Sequence, residues 1–152
     1  MDEAVRIVTT AETPTAVVAE TTTWEAFPRL WPELLGEVWT FLRGSELAAG
    51  RNVMLFKDQV PNVEVGVEVD NSFAAAGRVL PSSLPTGRAA TTVARGAPSP
   101  AGLARAHVDV REWCAANGHQ LTGVRWEIYG HWREDQDPAR FETEIYWQVA
   151  AK

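Results

Sequence analysis

Apolar residues recur along the chain with two different periods, and each period predicts a different kind of element. From Val63 to Val69 every second residue is Val and the residues between are Glu or Gly, which is the alternation of a strand with one buried face. Apolar residues three or four apart predict two helices, one starting at Pro32 and one following Pro100. Their stripes are Trp31, Leu35, Val38, Trp39 and Leu42 in the first helix, and Leu103, Ala106, Val110, Trp113 and Cys114 in the second.

Five other segments have the alternation or the β-branched composition of strands. They are Thr15 to Thr23, Asn52 to Lys57, Arg88 to Arg95, Val124 to Trp132 and Thr143 to Ala150. The stretch Asn71 to Pro85 has two prolines and little periodicity, which is typical of a linker or exposed loop. The order strand, helix, strand, strand thus occurs twice, at about 11–75 and 84–152. We expect an α+β fold in a single domain, 1–152, with duplicated units, an antiparallel sheet and a central ligand cleft.

The composition restricts the class of protein. A chain of 152 residues with 45% hydrophobic and 22% charged residues is typical of one folded domain. The net charge of -6, with its arginines scattered singly, disfavours direct nucleic-acid binding and accommodates a neutral or cationic partner. The single thiol, Cys114, excludes an internal disulfide, and no apolar run approaches the roughly 20 residues of a membrane helix. We therefore expect a cytoplasmic protein without a membrane partner.

The segment Val124 to Trp132 has the residues best suited to binding chemistry. Alternation places Arg125, Glu127 and Tyr129 on one face of this strand and the apolar residues on the other. A carboxylate among Tyr and Trp side chains suits an organic cation, because charge pairing and cation-π attraction both strengthen as water is excluded. The neighbouring strand can add Tyr146. The alternative is that Glu127 and Tyr129 lie on a solvated sheet face.

Other candidates are weaker. Glu64 and Glu68 flank Gly66 on the equivalent strand of the first half, and Gly66 could leave room for a ligand. An exposed acidic face is the better explanation of this pattern. The three histidines, His107, His119 and His131, lack the spacing of a zinc site, and no phosphate-binding glycine loop occurs. Neither a metal nor another cofactor is expected.

Several short motifs, in order along the whole chain, resemble those of the GyrI-like small-molecule-binding family. They are Gly50-Arg51-Asn52-Val53, Val63 to Val69, Leu84-Pro85-Thr86-Gly87-Arg88, Trp113 to Gly118, Trp126-Glu127-Ile128-Tyr129-Gly130 and Thr143-Glu144-Ile145-Tyr146. The resemblance implies a cleft between duplicated halves, with Glu127 as the acidic residue at its floor, Tyr129 and Tyr146 close to it, and lipophilic planar cations as ligands.

The chain departs from the family pattern at the end of the predicted strand Arg88 to Arg95, where it reads Ala94-Arg95-Gly96-Ala97-Pro98 in place of a segment with His, Gly and Tyr. Phe27, Trp31 and Trp39 are candidates for the missing aromatic wall, although core packing explains Trp39 equally well. Half of the aromatic residues, 7 in number, are Trp, a side chain suited to either role.

The resemblance leaves three functions open. The first is a stand-alone module that sequesters or senses a hydrophobic cationic ligand and acts on transcription only through a separate protein. The second is a hydrolase of reactive, cyclopropane-type genotoxins that uses Glu127 and cleft aromatics. The third is a protein that inhibits gyrase by direct contact.

Overall fold

The structure is a computed structural model that describes residues 4–131 and 135–151. Contacts divide the chain into two compact units. We call residues 12–85 the continuous unit, and residues 1–11 together with 86–152 the split unit. Trp132, the predicted end of one strand, lies outside the described residues.

Eight strands and two α-helices, with one short 3₁₀ helix at Pro138–Arg140, make up the secondary structure of the described residues. In chain order they are β1 (Arg6–Thr10), β2 (Thr13–Thr21), α1 (Phe27–Arg43), β3 (Ala49–Phe56), β4 (Asn62–Val69), β5 (Val79–Leu84), β6 (Gly87–Arg95), α2 (Pro100–Ala116), β7 (Leu121–Tyr129) and β8 (Glu142–Val149).

The continuous unit is a four-stranded antiparallel sheet in the order β3-β4-β2-β5, with α1 packed against β4 and β2. The buried residues of α1 are Leu34, Val38 and Leu42, spaced four apart. Thr23 stabilises the turn before the helix, because its hydroxyl accepts from the backbone N–H of Ala26 at 3.1 Å.

The split unit repeats this arrangement with the order β1-β6-β8-β7, again antiparallel. Here α2 packs over β6 and β8 through Ala106, Val110 and Cys114, which join the core cluster of Ile145 and Trp147. Ser99 caps α2 by accepting from Gly102 N–H, and Gly118, with φ 75°, follows its end. The predicted α+β class, with strand-helix-strand-strand units and antiparallel pairing, is confirmed.

Two predictions of secondary structure were wrong, the start of the first helix and the assignment of residues 71–85 to a linker. The first helix begins at Phe27, with Pro28 in its first turn and Pro32 inside it. Pro32 removes only one bond near the N-terminal end, and the packing of the buried stripe stabilises the rest of the helix. The stretch predicted as a linker contains β5, whose Pro81 is tolerated because β5 pairs with β2 alone within the continuous unit.

The strand β1 has a partner that the sequence did not predict. It pairs with β6 through Arg6↔Thr91 and Ile7↔Ala90, and Ile7 packs against the core under α2. The N-terminal residues therefore belong to the unit formed mainly by the second half of the chain.

Candidate ligand site around Glu127

Glu127 lies on β7, on the sheet face that α2 covers. It stands opposite Ile145 of β8, and Ile145 belongs to the core under α2. Only 6% of Glu127 is exposed to solvent. The alternative that Glu127 lies on a solvated sheet face is therefore wrong, and its carboxylate needs hydrogen-bond partners inside the protein.

Three side chains supply a connected chain of hydrogen bonds to this carboxylate. Tyr129 donates its hydroxyl to Oε1 of Glu127. His107 reaches from the edge of α2 and places Nε2 at 2.7 Å from the other oxygen, Oε2. Trp147 of β8 donates its indole N–H to Nδ1 of His107 at 2.9 Å. We call Glu127, Tyr129, His107 and Trp147 the carboxylate network.

The indole of Trp147 fixes the proton position on His107. An indole nitrogen can only donate, so Nδ1 of His107 must accept and carries no proton. The ring proton of the neutral imidazole therefore lies on Nε2 and is donated to Glu127. This tautomer gives both imidazole nitrogens of His107 a hydrogen-bond partner.

Tyr129 remains a proton donor well above neutral pH. Desolvation by burial raises the pKa of its phenol well above the usual value of 10.0, and the negative charge of Glu127 and their hydrogen bond raise it further. Among the described residues, Glu127 thus receives two hydrogen bonds, one from the Tyr129 phenol and one from the neutral imidazole of His107.

Two arginines stack on Trp147. The guanidinium carbon of Arg125 lies 5.2 Å from the centroid of the indole ring and that of Arg111 lies 5.7 Å from it. Arg125 is itself buried and donates to the carbonyl oxygen of Gly123 at 3.0 Å. Trp147 therefore combines a hydrogen bond at its edge with cation-π contacts at its ring.

Thr143 adds an unpaired hydroxyl beside the network. It stands opposite Tyr129 in the β7–β8 register and is fully buried, at 0% exposed. Its Oγ1 has no hydrogen-bond partner in the described part of the chain. A buried hydroxyl without a partner is uncommon, and it offers a donor and acceptor to a bound water or ligand.

Tyr146 lies on the opposite face of the same sheet from Glu127. It pairs with Trp126 in register, and the two rings stack with centroids 5.3 Å apart. Its hydroxyl donates to Glu144 Oε1 at 2.5 Å. Tyr129 therefore contacts Glu127, whereas Tyr146 forms a separate pair with Glu144 on the opposite face of the sheet.

The other predicted site residues lie in the continuous unit. Phe27 packs edge-on against Phe56 with centroids 5.4 Å apart, and Trp31 is half-buried on α1. Trp39 donates its indole N–H to Oδ1 of Asn52 at 2.9 Å. Each of these side chains lies on or next to α1, and their part in ligand binding stays a prediction.

Both glutamates of β4, Glu64 and Glu68, form ion pairs. Glu68 accepts from Nε and from the backbone N–H of Arg51, both at 2.9 Å. Glu64 is buried and lies 2.7 Å from Lys57 Nζ. The expectation that Gly66 leaves room for a ligand was wrong, because a Cβ there would lie 1.8 Å from the carbonyl oxygen of Ala16. That glycine permits close approach of two strand backbones.

The sequence did not single out His107, Trp147 or Thr143. A signal for His107 existed in the helical pattern, because it follows Ala106 and lies four residues after Leu103, at the edge of the buried stripe. A histidine there can reach a neighbouring strand, but which strand residue it meets depends on how the helix is seated. Nothing in the sequence distinguishes Trp147 from the other tryptophans, of which the chain has 7 in total.

No group of three or more His, Cys, Asp or Glu side chains in residues 4–131 and 135–151 is placed to hold a metal ion. Neither α1 nor α2 is long and apolar enough to cross a membrane.

Comparison with known proteins was informative at the level of structure. No family model matched the chain, and no curated protein did either. The C-terminal domain of EcmrR superposes with a TM-score of 0.76 at 22% identity, covering 96% of each chain. The chain spans 57% of the EcmrR chain solved in complex with DNA.

Two other solved structures are also similar. SAV2435 bound to tetraphenylphosphonium has a TM-score of 0.70 at 14% identity, with 97% of this chain and 94% of that one covered. A hydrolase encoded by lin2189 from Listeria innocua has a TM-score of 0.60 at 11% identity, covering 97% and 92%. These likenesses show that the chain has the GyrI-like fold that its motifs implied.

Proposed function

We propose that this protein binds small, lipophilic, aromatic cations, with Glu127 of the split unit as the counter-charge. The observation that carries the proposal is the carboxylate network. Glu127 is buried, and its two hydrogen-bond partners, Tyr129 and His107, are both uncharged in the assigned state.

Burial makes the charge of Glu127 expensive to maintain without a cation. A carboxylate taken out of water costs several kcal/mol unless charge or hydrogen bonds compensate it, and the network supplies hydrogen bonds only. The guanidinium of Arg125 donates to the carbonyl oxygen of Gly123 and lies over the ring of Trp147. A ligand cation would complete the compensation that the protein leaves partial.

The aromatic members of the network favour a flat or bulky organic cation over an inorganic one. Tyr129 and Trp147 add polarisable rings close to the carboxylate, and such rings attract organic cations most strongly where water is excluded. The solved complex of SAV2435 with tetraphenylphosphonium supports this ligand class. The finer role is sequestration or effector sensing in the cytoplasm, with any action on transcription through a partner protein.

Titration with tetraphenylphosphonium tests the proposal, with intrinsic Trp fluorescence and calorimetry as the readouts. The wild type is expected to bind saturably in the micromolar range, and Glu127→Gln at least about tenfold more weakly, or about 1.4 kcal/mol. Glu144→Gln is the matched control, since Glu144 is also bound by a tyrosine two residues away but lies on the other sheet face. Neutral triphenylphosphine oxide should not distinguish the three proteins. Equal affinities of wild type and Glu127→Gln for the cation would refute the proposal.

A second candidate function is hydrolysis. It is favoured by the contact between the His107 imidazole and the Glu127 carboxylate, which are groups suited to proton transfer and to orienting water. The fold is shared with the hydrolase encoded by lin2189. Mass spectrometry of a cyclopropane-bearing compound, incubated with wild type and with Glu127→Gln, tests it. Turnover that the variant loses is the expected result, and an intact compound after many hours rejects it. The third hypothesis, inhibition of gyrase, stays a prediction of the resemblance.

A further inference from the structure

We infer that His107 determines the charge specificity of the Glu127 site, so that binding of a cation and protonation of His107 exclude each other. The inference rests on the proposed function and deepens it. It assigns a role to a residue on α2 that the sequence motifs do not contain, and it follows from the order of donors in the carboxylate network.

The two protonation states of His107 offer different sites to a ligand. In the neutral state, Nε2–H donates to Glu127 and the negative charge of the carboxylate remains available. In the protonated state, His107 becomes a cation 2.7 Å from Oε2, and the pair carries no net charge. A ligand cation that enters the neutral state finds a counter-charge, whereas in the protonated state it meets a like charge.

Trp147 holds His107 in the neutral state. A proton on Nδ1 would point at the indole N–H that now donates to this nitrogen, so protonation must break the Trp147–His107 bond. Trp147 is buried in the core under α2 and cannot move aside without disturbing that core. It is therefore a positioning residue that acts through His107.

Charged groups of both signs lie around His107. Arg111, one turn further along α2, and Arg125 of β7 both lie over the ring of Trp147, the residue that donates to the imidazole. The Glu127 carboxylate contacts the imidazole directly, and the Tyr129 phenol is neutral. The residues of β6 and β8 that join this core carry no charge, and they are Ala90, Ala94, Ile145, Trp147 and Val149.

The consequence is a proton-linked affinity for cations. Imidazole groups generally change charge between about pH 5 and 8. Affinity for a permanent cation should fall as the pH is lowered through the range where His107 takes up a proton. Affinity for a neutral ligand of the same shape should not fall in this way.

The experiment compares His107→Gln with wild type, because glutamine reproduces both hydrogen bonds. Its amide N–H can donate to Glu127 and its carbonyl can accept from Trp147, but it cannot become a cation. Tetraphenylphosphonium and triphenylphosphine oxide are titrated at about pH 5.5 and 8.0 in buffers of different ionisation enthalpy. His119→Gln is the control, since His119 stacks on Trp113.

For wild type and His119→Gln we expect roughly tenfold weaker binding of the cation at the lower pH, with proton release on binding. For His107→Gln the affinity should be the same at both pH values, without proton release. If the cation binds and Glu127→Gln weakens it, but His107→Gln keeps the pH dependence, the inference fails while the proposed function stands.

Failure of tetraphenylphosphonium to bind would count against the proposed function. The protonation state of His107 can then still be measured without a ligand. Nitrogen-15 NMR of the imidazole should show His107 protonated on Nε2 only in wild type near neutral pH. Trp147→Phe removes the indole donor and should raise the pH at which His107 takes up its second proton. A ring protonated on Nδ1 in wild type, or a midpoint that Trp147→Phe does not raise, would overturn the inference.

Discussion

The continuous and split units place different side chains at equivalent positions of the same strand-helix-strand-strand frame. The sheet face that the helix covers differs between β3 and β7. On β3 this face carries Asn52, Met54 and Phe56, whose partners on β4 are all Val. On β7 it carries Arg125, Glu127 and Tyr129, whose partners on β8 are Trp147, Ile145 and Thr143. The middle position is thus Met in one unit and Glu in the other, and the following one is Phe in one and Tyr in the other.

The helices differ in a corresponding way. Both have buried residues four apart, which are Leu34, Val38 and Leu42 in α1 and Ala106, Val110 and Cys114 in α2. The residue after the first of these is Leu35 in α1 and His107 in α2. The buried stripe is enough to seat a helix, so the position beside it is free to carry chemistry in one unit and packing in the other.

The largest expected effect concerns the stripe itself. Leu34→Ala should lower the free energy of unfolding by about 2–5 kcal/mol, because Leu34 is fully buried and its loss leaves a cavity under α1. Urea denaturation measures it, and Leu80→Ala, at an exposed position, should change stability little. A loss below about 1 kcal/mol for Leu34→Ala would contradict the dependence of α1 on its buried residues.

The second prediction concerns replacing Glu127 and His107 by the residue types at the equivalent positions of the continuous unit, Met54 and Leu35. Glu127→Met should lower stability by about 1–3 kcal/mol, because His107 and Tyr129 lose their acceptor inside the protein. Adding His107→Leu should recover part of that loss, since an apolar pair replaces a broken polar one. Neither protein should bind tetraphenylphosphonium as wild type does. A double variant less stable than Glu127→Met would show that the two frames are not interchangeable.

The smallest effect concerns the tyrosine that replaces phenylalanine. Tyr129→Phe should lower stability at neutral pH by about 1–2 kcal/mol through loss of one hydrogen bond to a carboxylate. The folded chain holds the Tyr129 proton more tightly than the unfolded chain, because the pKa of Tyr129 is raised in the fold. The stability that this proton contributes is therefore fully present below about pH 10 and is lost as the pH rises above it.

Alkaline denaturation curves measure that contribution. Above about pH 10, the stability of Tyr129→Phe should fall less steeply than that of wild type. Tyr146→Phe serves as the control for removing a phenol on the opposite face. Equal slopes for wild type and Tyr129→Phe would contradict the tight retention of the proton.

The sequence predicted those features that depend on neighbours along one element. Strand alternation correctly placed Glu127 and Tyr129 on one face of β7, because side chains of a strand alternate whatever the strand packs against. It also placed Tyr146 near Glu127, and here it failed. Which face of β8 meets which face of β7 depends on the pairing register, and Tyr146 pairs with Trp126.

Features that depend on tertiary packing were beyond the sequence. His107 meets Glu127 only because α2 is seated over β6 and β8 at one particular depth. The helix ran through Pro32 and a strand formed at Pro81, since burial and edge pairing outweighed the local preference of proline.

The pairing of β1 with β6 sets an order of events during synthesis. Arg6 leaves the ribosome long before its partner Thr91, and all of residues 12–85 are translated in between. The continuous unit can therefore fold on the nascent chain while β1, with the apolar Ile7 and Val8, is still unpaired because its partner strand β6 has not been translated. A gene rearranged so that the segment before Glu12 follows residue 152 would make both units contiguous, and this strand would then be translated after its partner β6 instead of before it.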